Sequence, residues 1–225
     1  MEKKSRRNYG DSKNKLDGRL MNNKFILDNL KQLFEEPKCE LNYNNDWQLL
    51  IATILSAQCT DKKVNNVTPI LFERYPTLTN LKNADFNELE GIIRPLGLSK
   101  TKASNIISLS KILNEKYNDK VPSNKQELVE LPGVGVKTAN VMLIEYFKIP
   151  AFPVDTHVSR VSKRLNICDE SDSVTIIEKK LTNKFPKKEW ALLHLRMVLF
   201  GRYICKAIKP ECSSCPFKGK CNYTK

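Results

Sequence analysis

Leu131-Pro132-Gly133-Val134-Gly135-Val136-Lys137-Thr138-Ala139-Asn140 reads as a tight reversal between two helices. The two glycines allow positive φ and leave no Cβ in the way, so their backbone N–H groups can come close to an anion outside the chain. The helix that starts at Val136 points its unpaired amides and the positive end of its dipole at the same spot. A helix-hairpin-helix that grips a phosphate through Gly133, Gly135 and Val136 is the predicted result. An ordinary glycine-capped turn is the alternative, but L-P-G-V-G followed by K-T-A is far more restrictive than a glycine pair.

Helical spacing extends in both directions from this hairpin. Apolar residues recur at that period over Phe25 to Phe34, Trp47 to Ala57, Val64 to Tyr75, Phe86 to Pro95 and Ala103 to Tyr117, separated by Asn, Pro, Gly or Asp. Ser123 with Gln126 reads as a capping box for a short helix ending at Leu131. Val136 to Phe147, Asp155 to Leu165, Ser173 to Lys184 and Lys188 to Tyr203 complete the series. The chain has 8 Gly and no sustained period-two alternation, so an all-α fold of roughly ten short helices is expected.

Lys and Arg number 38 against 25 Asp and Glu, a formal charge of +13 that suits an acidic polymer as partner, although a merely lysine-rich surface would give the same surplus. Residues 1–22 are basic and aperiodic and are expected to form a loose arm. They show no apolar h-region, which argues against a secretory signal. The apolar run Leu49 to Ala57 is far shorter than the roughly 20 residues of a membrane span. A soluble protein of a reducing compartment is expected, nucleoid or nuclear according to the organism.

Seven cysteines in such a compartment do not suggest a disulfide framework, and four crowd into the C-terminus. Cys205, Cys212, Cys215 and Cys221 give C-x6-C-x2-C-x5-C. Four thiolates in one short loop suit a [4Fe-4S] cluster or a single zinc ion. A zinc ribbon usually shows two C-x2-C knuckles and this segment has one, which weakens zinc. Cys39, Cys59 and Cys168 stand apart and read as structural, Cys59 as a small buried hydrophobe.

The run L-P-G-V-G-V-K-T-A-N-V, the later V-D-T-H-V-S-R-V from Val154 to Val161, and the early L-S-A-Q-C-T-D from Leu55 to Asp61 together resemble endonuclease III, the bifunctional branch of the helix-hairpin-helix DNA glycosylases. The similarity runs in order from about residue 25 to the C-terminus and departs at Cys59, where the family often has alanine. It implies a [4Fe-4S] cluster on the four C-terminal cysteines, damaged double-stranded DNA as partner, a monomer, and oxidised or ring-saturated pyrimidines as substrates. It also implies that Lys137 attacks the anomeric carbon of the damaged nucleotide with help from Asp155. Gln58 and Leu98 would fill the gap left by the extruded base, and Asp61 would line the damage pocket. Lys206 and Lys209, on the cysteine loop, would meet the DNA backbone.

Each implied role has a plainer alternative. Lys137 could simply bind phosphate, Asp155 is also a good N-cap for the next helix, and Asp61 sits at another helix start. Gln58 could be a polar helix end and Leu98 a loop anchor in the core. His157 stays unassigned. For the chemistry, a lysine of ordinary pKa carries the free amine in about one molecule in a few thousand at neutral pH, a handicap of roughly 4 to 5 kcal/mol. A helix start and partial burial would both disfavour the ammonium ion at position 137. Chain order predicts one lobe over 42–152 and a second from 23–41 joined to 153–225, its cysteine loop spanning 205–221, with the cleft between them. A monofunctional glycosylase and a non-catalytic, metal-braced DNA-binding module are the competing readings.

Overall fold

The protein is described by a computed structural model covering residues 21–223. The described residues form eleven α-helices joined by short turns and contain no β-strand. They are α1 (Asn23–Leu33), α2 (Asp46–Leu55), α3 (Asp61–Arg74), α4 (Leu78–Lys82), α5 (Phe86–Ile93), α6 (Ser99–Tyr117), α7 (Lys125–Glu130), α8 (Val136–Glu145), α9 (Thr156–Arg164), α10 (Val174–Lys184) and α11 (Trp190–Leu199). The expected all-α class holds. No described helix is long and apolar enough to cross a membrane.

Side-chain caps decide most of the boundaries. Asn22, Asn45, Thr60, Thr77, Asp85, Asn124, Asp155 and Ser173 each precede a helix in extended backbone and accept a hydrogen bond from an amide of its first turn. The capping box expected at Ser123 and Gln126 lies one residue further on, where Asn124 Oδ1 accepts from Glu127 N at 2.9 Å. The five residues of α4 are too few to show a period in the sequence, and the structure adds this helix to the expected series. The helix expected over Lys188 to Tyr203 divides into a 3-10 turn at Lys187–Glu189, α11, and a π turn at Phe200–Ile204. α6, α8 and α11 have no side-chain cap.

The helices enclose two cores. One draws on residues from Leu41 to Ala151 and is centred on α2, whose residues Trp47 to Leu55 are all buried, as suits a helix apolar on every side. The other joins Met21, Ile26 and Leu30 at the N-terminal end to Phe152 and residues onward to Phe217. Arg196 secures that union. Its buried guanidinium donates to Phe34 O at 3.0 Å and Glu35 O at 3.1 Å, satisfying carbonyls at the end of α1. Of the arm expected over residues 1–22, all but the last two lie outside the described residues; Met21 is buried and Asn22 caps α1.

Few polar contacts bridge the cores. Lys125 of α7 meets Glu178 of α10 at 3.5 Å, and Asn140 of α8 donates to the same carboxylate at 3.1 Å. On the other side Arg202 pairs with Asp61 at 2.8 Å and with Glu40, and Tyr203 donates to Glu40 at 2.5 Å. Gly201, in the π turn, lies against α9 so closely that a Cβ there would meet His157 Cβ at 2.8 Å and its Cα at 3.2 Å. Gly201→Ala must separate α9 from the π turn and is expected to cost about 1–3 kcal/mol, seen as a lower midpoint in thermal or urea unfolding. A midpoint equal to wild type would show that this contact gives way freely.

Candidate active site

The hairpin is pinned from below by its two buried residues, Leu131 and Val134, and Val134 N donates to Leu131 O at 3.0 Å. Pro132 followed by Gly133 at φ +78° is the pattern of a type II turn. Gly135 differs from expectation. Its φ is −91° and ψ 176°, extended backbone open to any residue, and a Cβ there would meet nothing within 4 Å. Only Gly133 needs its positive φ, and a Cβ there would also press on the Asn105 side chain at 3.0 Å. With glycine at the cap position, the first amides of α8 have no side-chain acceptor.

Lys137 is in the first turn of α8, one residue past the half-exposed Val136. It is exposed, which corrects the partial burial expected of it. Across the cleft, Asp155 caps α9, with Oδ1 accepting from Val158 N at 2.8 Å. Both residues line two adjoining pockets, a recess that runs inward to Cys39, Thr53, Glu145 and His194 and an open groove that runs outward past Gln58 and Gly97. Ser56, Asp61 and Arg202 line both pockets.

Thr60 is the cap of α3, its Oγ1 accepting from Lys63 N at 3.4 Å, and Asp61 follows as the first helical residue. Burial raises the Asp61 carboxyl above its ordinary range and Asp155 adds repulsion, while Lys137 and His157 oppose them. The Arg202 guanidinium at 2.8 Å is its direct ionic partner. Sequence reasoning missed Arg202, which gives no signal within a helix read as apolar, and it missed His194. The His194 ring is buried and donates Nδ1–H to Pro153 O at 2.9 Å, two residues before Asp155. Burial pushes this imidazole well below its usual range, so it is neutral at pH 7. His157 sits beside Arg160, Nδ1 to Nη2 at 3.2 Å, and lines the open groove.

Residues 51–187 match the model of the HhH-GPD superfamily of base excision DNA repair proteins. Endonuclease III of Bacillus subtilis is 47% identical over 197 residues, covering 88% of this chain and 90% of its own length. That of Rickettsia felis is 44% identical over 202 residues, covering 88% and 94%. The chain belongs to the endonuclease III family. A solved endonuclease III in non-covalent complex with DNA superposes with a TM-score of 0.86 at 49% identity, over 88% of this chain and 93% of that one. A trapped covalent endonuclease III–DNA intermediate with an estranged adenine gives the same values.

The other residues singled out by resemblance to endonuclease III fall at the rim of the cleft or on the C-terminal loop. Gln58 and Leu98 are both exposed and both left-handed, at φ 56° and 51°. For residues with a Cβ this conformation costs about 1–3 kcal/mol. Leu98 at 55% exposure is no core anchor. Cys59 is half-buried against the first core and Cys168 is buried in the second, as small apolar residues. Cys205, Cys212, Cys215 and Cys221 surround one small pocket with Phe200 and Phe217. Phe217 anchors their loop in the second core, edge-on to Phe25 and Phe200 at 5.9 and 5.3 Å. From α9, Arg160 Nε donates to Cys205 O at 3.0 Å and Arg164 Nη1 to Lys206 O at 2.8 Å. Lys206 is ion-paired with Glu211 at 2.9 Å, whereas Lys209 is exposed at φ 50°. Among the described residues, no three His, Cys, Asp or Glu side chains converge on one ion position.

The two hairpin glycines therefore predict different defects. Gly133→Ala meets both a forbidden φ and the Asn105 side chain, so a loss of about 1–3 kcal/mol is expected in the unfolding midpoint. Gly135→Ala meets neither, so its midpoint should stay within about 0.5 kcal/mol of wild type while duplex affinity falls. Equal stability losses in the two variants would contradict this assignment.

Proposed function

We propose that the protein is a bifunctional DNA glycosylase and AP lyase of base excision repair, excising oxidised or ring-saturated pyrimidines from duplex DNA through Lys137. The observation that carries the reading is that Lys137 and Asp155, from elements on opposite sides of the cleft, line the same two adjoining pockets beside a hairpin whose helix amides are uncapped. A relative of 49% identity captured as a covalent DNA intermediate supports a covalent route.

In the proposed reaction the neutral Lys137 amine attacks C1′ of the damaged nucleotide, and the C1′–N bond breaks with its electron pair leaving on the base, which is protonated as it departs. Opening of the sugar ring gives an imine between Lys137 and C1′. The imine acidifies the C2′ proton; as a base removes it, its electron pair forms a C2′–C3′ double bond, the C3′–O bond breaks, and the 3′ phosphate leaves with that bond's electrons. Asp155 bears a negative charge where the sugar becomes oxocarbenium-like, and serves as proton acceptor as well as helix cap. Lys137 is exposed in the free protein, so removal of water from around its amine falls to the bound duplex.

The amides of Gly133, Gly135 and Val136 hold a phosphate, which explains glycine at 135 where nothing within the protein excludes a Cβ. Gln58 and Leu98 occupy the space of the extruded nucleotide, and Asp61 with Arg202 lines the pocket that receives the base. Lys209 meets the DNA backbone, with Lys206 joining it when released from Glu211. We read one lobe as 42–152 and the other as 23–41 with 153–225, with Leu41 crossing to pack in the first core and 224–225 outside the described residues. The four C-terminal cysteines would hold a [4Fe-4S] cluster. Four soft donors ringing one apolar pocket fit a body of four irons, each taking one thiolate. The cluster would supply bracing for the basic loop.

Lys137→Ala is expected to abolish borohydride trapping on damaged duplex while binding it with affinity close to wild type, measured by gel shift. Trapping that persists in the variant would remove Lys137 from the nucleophile role, and a wild-type protein that is never trapped would leave the monofunctional or non-catalytic reading. Iron analysis of the purified protein should give about four irons per chain, falling toward zero in Cys212→Ala with loss of the visible absorbance. Zinc in place of iron would overturn the cluster assignment.

A further inference from the structure

Lys102 is a buried cation that the proposed chemistry does not use. It lies on α6, 3% exposed, and among the described residues no carboxylate pairs with it. Its ammonium instead donates to three backbone carbonyls, Leu55 O at 2.8 Å, Ala57 O at 2.9 Å and Leu96 O at 3.0 Å. All three of its N–H donors are used. Burial lowers the lysine pKa, so the charge is kept against a desolvation penalty. The acceptors offset that penalty, because Leu55 ends α2 and Leu96 ends a 3-10 turn, where unpaired carbonyls carry partial negative charge.

These carbonyls belong to the two segments that carry the exposed left-handed tips. Gln58 directly follows Ala57, and Leu98 is two residues beyond Leu96. The rest of each segment is also fixed. Cys59 N donates to Ser56 O at 3.0 Å on the first; on the second, Glu90 accepts from Ser99 Oγ and Arg94 Nη2, both at 2.6 Å. One nitrogen therefore ties together two loops about forty residues apart in the chain, and it is the only hydrogen-bonded link between these two segments among the described residues.

We propose that Lys102 is a positioning residue for nucleotide extrusion, its ammonium holding the Gln58 and Leu98 tips at a set separation so that they enter the duplex as one rigid unit. Two groups that fill a single gap in a base stack must keep their spacing while the nucleotide rotates out. A tie through one atom supplies that correlation without reaching the reacting atoms. The inference rests on the reading of Gln58 and Leu98 as gap-filling residues.

The test compares single-turnover cleavage of two duplexes. One carries dihydrouracil opposite a normal base; the other carries an abasic site opposite a second abasic position, where no partner base is left to be supported. Lys102→Met keeps side-chain length and removes the donors. It is expected to slow cleavage of the first duplex on the order of 100-fold and of the second by no more than a few-fold. Lys102→Gln, which keeps two donors, should show the same selectivity to a smaller extent and serves if the Met variant does not fold. Wild-type rates on the first duplex, or equal losses on both duplexes in the folded variants, would overturn the proposal. Gln58→Ala and Leu98→Ala separate the two readings: if neither slows the first duplex, the gap-filling role fails and the inference falls with it, whereas if they do and Lys102→Met does not, only the tie is refuted.

Discussion

The carbonyls of Phe152 and Pro153, where the chain leaves one core for the other, are held from two sides. Asn140 of α8 donates to Phe152 O at 3.4 Å, and His194 of α11 donates to Pro153 O at 2.9 Å. Phe152 is fully buried and meets the His194 ring edge-on at 6.1 Å. Everything at the site depends on this crossing. Asn140 is three residues past Lys137 on one helix face, and Asp155 is two residues past Pro153, so the same contacts fix the lysine helix relative to the carboxylate. A shift of the crossing would move Asp155 and the start of α9 together, since the carboxylate is also that helix's cap.

The basic surplus acts through few residues near the cleft. Arg160 and Arg164 spend their donors on carbonyls of the cysteine loop, Arg196 on the end of α1, Arg202 on Asp61 and Glu40, and Lys102 on the two rim loops. These cations serve as internal struts. Hydrogen bonds to charged groups are each worth about 1.5–3 kcal/mol, more than neutral ones, and a cation at a carbonyl-rich helix end matches its dipole. Exposed lysines such as Lys137 and Lys209 make no such contact among the described residues. The division agrees with a protein that must hold a preformed cleft and still offer positive charge to a polyanion.

Exposure and backbone strain coincide at the rim. Gln58 and Leu98 are held left-handed in well-anchored loops, and Gly135 is a glycine in backbone any residue could adopt. Neither feature serves stability of the free protein. Strain retained by surrounding structure and a side chain omitted where there is room for one both point to a partner outside the chain.

How much of this was legible in the sequence differs by level. The helices could be read because burial imposes a 3.6-residue period on segments of two turns or more, while α4 is too short to display one. The hairpin could be read because Leu131, Pro132 and Gly133 have few other conformations, and the cysteine loop because its four thiols lie within seventeen residues of one another. Lys137 and Asp155 were legible through the motifs around them. The sequence by itself thus determined the helical class, the hairpin, the cysteine loop and the candidates Lys137 and Asp155. Only the tertiary structure decided that Lys137 is exposed, that Gly135 is extended, that Arg202 joins Asp61 and that Lys102 and His194 reach carbonyls far along the chain. The first two depend on what the rest of the fold leaves uncovered and on how the hairpin is held; the others are contacts between residues tens to more than a hundred positions apart, and a local pattern carries no information about which distant carbonyl or carboxylate a cation will meet.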